Sequence, residues 1–187
     1  ELAMREWAAL SRAGRRSAEG QGWTAHLDAV LAWADDPLRA YRGLETVFER
    51  LSREEQAFSA VARGVARMAL RLDDRDGLAR ATNAFLEVTA GSSGPMMRIR
   101  GRWFGGLVSD PDGSGVEAAA GELDAVGYRL LAAYAFADAA LLAARAGRAS
   151  NANERAMAIA AEIGLHPSLG PLPETRWTAA SVAQKNR

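Results

Sequence analysis

Apolar residues return at helical spacing along nearly the whole chain. Phe58, Val61, Val65, Met68 and Leu72 alternate in steps of three and four, while Arg63, Arg67 and Arg71 follow one another in steps of four on another face. Leu78, Ala81, Phe85 and Val88 continue the pattern. Upstream lie Trp23, Leu27, Val30 and Ala34, then Leu38, Tyr41, Leu44, Phe48 and Leu51. Downstream lie Met96, Ile99, Trp103 and Leu107, then Val116, Ala119, Leu123 and Val126. The stretch 128–146 is apolar around most of its circumference, and Ala152, Ala156, Ile159 and Ile163 close the series. No segment alternates with period two long enough to predict a strand. Phe58, Val65, Phe85, Leu131 and Ile159 are expected in the core.

Punctuation divides the pattern into pairs. Breaks are expected at 20–22, 73–77, 91–95, 110–115 and 147–150, where Gly, Pro, Asp and Ser gather. Ser52 with Glu55, Ser114 with Glu117, and Asn151 with Glu154 have capping-box spacing, and Asp36-Pro37 reads as an N-cap with a first-turn proline. The predicted fold is all-α: a leading helix over 1–16 with Leu2, Trp7 and Leu10 inward, hairpins over 22–51, 54–90, 96–126 and 128–164, and a Pro/Gly-rich tail over 165–187. First helices starting near 22, 54, 96 and 128 recur at intervals within the roughly 20–50 residues typical of helical repeats.

One stretch carries a family likeness. Gly121–Gly127 (GELDAVG), Tyr128–Tyr134 (YRLLAAY), Gly147-Arg148 and Ala158–Gly164 (AIAAEIG) follow one another within 115–166. This segment resembles the tetratricopeptide-like hairpins of large actinobacterial LuxR-type transcriptional regulators, in which an ATPase module and a helical-repeat region precede a DNA-binding domain. Phe136, Ala140 and Ala152 fit the bulky, small and small repeat positions, whereas Ala143, Ala156, Ile159 and Gly164 depart from the usual residues. The resemblance implies a short, right-handed, TPR-like superhelix within a bacterial regulatory protein. It carries over no DNA binding, because no helix-turn-helix follows, and no Gly-rich nucleotide loop is present.

Charge narrows the partners. Acidic and basic residues balance at 23 each, and the formal net charge is zero. A duplex-tracking surface or a polybasic membrane anchor needs a basic excess that this chain lacks. All but one of the basic residues are Arg, and the absence of Cys removes thiolate nucleophiles and Cys-ligated zinc. No apolar run reaches the ~20 residues a spanning helix needs. The chain therefore reads as cytoplasmic, and its first residue, Glu1, suggests a processed chain or an excised domain.

Candidate chemistry is sparse. Asp110-Pro-Asp-Gly-Ser-Gly115 opens like a calcium loop, but its twelfth position is Gly121 rather than the required Glu, so a turn feeding a Ser114 cap is expected. Asp73, Asp74 and Asp76 are expected to cap the following helix, and His26 and His166 stand too far apart in sequence to suggest a shared metal. Arg98, Arg100 and Arg102 spread around a helix rather than forming a stripe. No catalytic residue, metal ligand or cofactor is therefore assigned.

The expected function is a non-enzymatic scaffold or sensor that binds a protein partner or another domain of the same polypeptide. Its inner face would be lined by the first helix of each hairpin. The candidate binding residues are Arg63, Arg67, Arg100, Trp103, Tyr134 and Asp138, several of them exposed on that face, because Arg and Tyr are common interface anchors. An alternative is a small-molecule-binding helical domain with an aromatic-lined pocket using Trp23, Trp33 or Trp103. An α-helical enzyme is a third.

Overall fold

A computed structural model describes residues 18–53, 56–91 and 94–165. Among them are eight α-helices and no strand: α1 (Ala18–Ala32), α2 (Pro37–Phe48), α3 (Gln56–Leu72), α4 (Arg75–Thr89), α5 (Pro95–Ser109), α6 (Ser114–Ala125), α7 (Arg129–Arg145) and α8 (Ala152–Glu162). The expected leading helix 1–16, Glu55, and the tail beyond Leu165 lie outside the described residues.

Each helix packs along the next, and the turns between them are short, so the chain doubles back repeatedly. The ranges expected for the four hairpins each hold two of these helices. Contacts beyond neighbours include α1 along α3, and α3 and α5 each meeting α7 across the molecule. The helices α3 and α7 are the most enclosed. The Ala-rich circumference of α7 suits this, since a helix that is apolar nearly all round has little face to offer water, whereas α3 is amphipathic and sets arginines against α7.

The expected break at 20–22 does not occur; α1 runs through it from Ala18. Gly22 is used for close approach instead, since a Cβ there would lie 2.8 Å from the Ala57 Cβ on α3. At α2, Asp36 accepts from the Arg39 amide at 3.1 Å and Pro37 opens the helix, as the Asp-Pro pair predicts. Asp74 likewise caps α4, accepting from the Gly77 amide at 2.9 Å. The capping boxes at Ser114 and Asn151 are not formed. Asp110 Oδ2 accepts from the Gly115 and Val116 amides at 2.7 and 3.2 Å, and Asp112 accepts from the Ser114 amide, leaving Ser114 inside the helix. At α8, Ser150 Oγ takes the Ala152 amide, while Glu117 turns away to Arg148 and Ser150.

Phe58, Val65, Phe85 and Ile159 are buried as expected, whereas Leu131 is half-buried against the core. Phe85, Phe104 and Trp103 pack ring on ring, with centroids 4.6 Å apart in each successive pair.

Candidate functional site

Successive turns of α3 present Arg63, Arg67 and Arg71, and the α3–α7 contact sets this stripe against Tyr134 and Asp138, one turn apart on α7. Asp138 is fully buried. Its Oδ2 accepts from Arg67 Nε at 2.9 Å and from Trp103 Nε1 at 3.1 Å, and its Oδ1 accepts from Arg71 Nη1 at 2.8 Å. Three helices are therefore pinned to one carboxylate. The Arg67 guanidinium also stands 4.2 Å over the Tyr134 ring, donates to the Tyr134 carbonyl at 3.4 Å, and lies 6.0 Å from the Trp103 ring.

The remaining cations lack such compensation. Arg71 Nε and Nη2 are buried and meet no acceptor among the described residues. Desolvation holds the Arg71 pKa down to about 10 in spite of Asp138. On α5, Arg100 lies 5.2 Å from the Phe85 ring centroid and touches Met97 Sδ, while its Nε and Nη2 are buried without an acceptor. Burial lowers its pKa too. Arg63 is half-buried, and its Nε donates to the Ser59 carbonyl at 3.0 Å. Its pKa falls to about 10, through desolvation first and then repulsion by Arg100 and Arg67.

His26 of α1 completes this face. Its Nδ1 is buried without a partner, and it packs so closely on Gly64 that a Cβ there would lie 2.8 Å away. Burial, followed by repulsion from Arg63 and Arg67, drives its pKa down to about 4, so the ring is neutral at physiological pH.

All six candidate residues, Arg63, Arg67, Arg100, Trp103, Tyr134 and Asp138, thus fall in one region on α3, α5 and α7. The expectation that several of them stand exposed is corrected: Arg63, Arg100 and Tyr134 are half-buried, and only 6 % and 0 % of the Arg67 and Asp138 surface is accessible, because each neutralises the other inside the α3–α7 contact. Trp103 is core as well as hydrogen-bonded. Arg71 and His26 complete the cluster and were not among the candidates. Arg71 was legible in the sequence as the next member of the four-residue stripe; His26 carried no such signal.

Arg98 and Arg102 point elsewhere, both exposed, with Arg102 paired to Glu122. Trp23 is 38 % exposed and Trp33 half-buried. A partly open cleft of about 520 Å³ lies among α3, α4, α5 and α7, lined by residues such as Leu70, Leu78, Leu107 and Leu142, with no aromatic side chain in its wall. Among the described residues no group of three His, Asp or Glu could hold a metal, and no helix is long and apolar enough to cross a membrane. The Asp73–Asp76 turn is absorbed locally: the buried Tyr41 hydroxyl donates to Asp74 at 2.6 Å, which lowers the Asp74 pKa and raises that of Tyr41.

No known protein family, curated protein or solved structure matches this chain.

Proposed function

We propose that this chain is a non-enzymatic helical-repeat scaffold or sensor, its hairpins stacked as a short TPR-like right-handed superhelix, which engages a protein segment or a neighbouring domain in a bacterial regulatory protein. One observation carries the reading. The first helix of each of the four hairpins contributes to a single polar and aromatic face, through His26, Arg63, Arg67, Arg71, Arg100, Trp103, Tyr134 and Asp138. Stacked hairpins recognise partners on the face lined by their first helices.

The accessible part of that face includes Arg63, Arg100 and Tyr134, all half-buried, over a base formed by Arg67, Trp103 and Asp138. A base held by hydrogen bonds limits the side-chain ordering that binding would otherwise cost. The chain's neutrality favours a peptide over a nucleic-acid duplex.

A bead-displayed library of short peptides tests the reading. Enriched peptides should lose binding to Arg63→Ala and Tyr134→Ala proteins whose thermal stability is unchanged, and mixed-sequence DNA should give no gel shift at physiological salt. Failure of any peptide to exceed its scrambled version, or sub-micromolar salt-sensitive DNA binding, contradicts it.

A further inference from the structure

Arg67 and Arg71 share the Asp138 carboxylate, and Arg63 and Arg100 stand about one turn before Arg67 and Trp103 on the same helices, so the four arginines and Asp138 together carry an excess of three positive charges. Guanidinium groups stay charged at neutral pH, so the excess is not relieved by losing a proton. Buried charge without a counter-charge is strongly disfavoured, and buried donors without acceptors add to the cost. Asp138 neutralises Arg67 and touches Arg71, and its two oxygens are already occupied by three donor groups. Nothing of opposite sign reaches Arg63 or Arg100 among the described residues.

We infer that the region between Arg63 and Arg100 is a binding site for an oxyanion, a phosphate or carboxylate group, which supplies the counter-charge the fold omits. Arg100 has the chemistry for it: Nε and Nη2 form one edge of the planar fork, and on that edge both donors are unused. A phosphate or carboxylate accepts two parallel hydrogen bonds from such an edge. Arg67 of α3 lies 6.0 Å from the Trp103 ring of α5, and Arg63 and Arg100 stand about one turn before them, so the two guanidinium groups neighbour each other and an anion between them is attracted from both sides. Because Arg63 is half-buried rather than enclosed, the site has a route to solvent. The neutral His26, packed on Gly64 next to Arg63, borders the site and reports on it: a bound anion favours its protonation and raises its pKa.

The inference rests on the same face as the proposed scaffold role but needs no protein partner. The oxyanion can be a free small molecule or an acidic side chain of a bound segment, and two titration arms separate these. In one, inorganic pyrophosphate is titrated calorimetrically into the full chain at constant ionic strength. In the other, a Glu-rich peptide is compared with its Gln-substituted version. The expected result is saturable binding in at least one arm, weakened about tenfold or more by Arg63→Gln and by Arg100→Gln and unchanged by Arg102→Gln on the exposed face. The His26 ring resonance should titrate at higher pH when the anion is bound. Should Arg100→Gln fail to fold, Arg63→Gln carries the test, since its only hydrogen bond among the described residues is to the Ser59 carbonyl. No binding in either arm overturns the inference, as does binding that Arg63→Gln leaves intact. Pyrophosphate binding without capture of any library peptide keeps the oxyanion site and removes the scaffold reading; peptide capture that Arg63→Ala and Tyr134→Ala abolish, with no pyrophosphate binding and no preference for Glu over Gln, does the reverse.

Discussion

Asp138 occupies an otherwise apolar stretch of α7, between Ala137 and Ala139, and its burial is tolerable only because Arg67, Arg71 and Trp103 all donate to it. Removing it leaves two arginines with no counter-charge in a dry interior. Asp138→Ala is therefore expected to destabilise the protein by about 3–5 kcal/mol, the usual cost of breaking a buried pair from one side. Urea unfolding checks this, and a loss under about 1 kcal/mol would show that water reaches the pair. His26 gives a pH signature. Its folded pKa of about 4 lies below the model-peptide value of 6.5, so between these values the unfolded chain binds the extra proton. Stability contributed by neutral His26 is complete above about pH 6.5 and declines as pH falls towards 4. His26→Gln should flatten the part of the stability–pH curve between about pH 5 and 6.5, before the carboxylates begin to titrate.

At the scale of elements, the turns set how the helices meet. Gly113, at the start of α6, has φ of +74°, and a Cβ there would fall 2.8 Å from the Ala139 carbonyl oxygen on α7. Gly127, after α6, has φ of +85° with nothing within 4 Å. Gly127→Ala should thus cost about 1–2 kcal/mol from backbone strain alone. Gly113→Ala adds a clash with backbone and should cost clearly more, by a further 1–3 kcal/mol. Equal losses on thermal unfolding would mean that the α6 entry does not seat against α7. The same elements show what the sequence made legible. Apolar periodicity located the eight described helices, and the Asp36-Pro37 cap forms as read. Cap identity at α6 was not legible, because Asp110, Asp112 and Ser114 all offer oxygens in reach of the same amides and loop geometry decides among them. Nor was Gly22 recognisable as a contact residue, since its role depends on Ala57 of a different helix.

Across the whole molecule, the candidate residues were legible as residue types on helical faces, but their burial was not. Arg67 and Asp138 are 71 positions apart, and only the α3–α7 contact makes them partners. Global neutrality likewise concealed a local imbalance: 23 acidic and 23 basic residues cancel over the chain, while among the described residues Arg67 and Arg71 share the one buried acid, Asp138, and Arg63 and Arg100 have none. Surface pairs such as Arg102–Glu122 and Arg53–Glu87 account for acids elsewhere and contribute little stability each. On the inferred site, an anion from outside completes this balance. Arginine side-chain NMR reads that out, by following the Nε–Hε resonances during pyrophosphate addition at constant ionic strength. A saturable shift centred on Arg63 and Arg100 is expected, with Arg98 and Arg102 unmoved. Unchanged resonances at Arg63 and Arg100, or small unsaturating shifts shared equally by every exposed arginine, would contradict it.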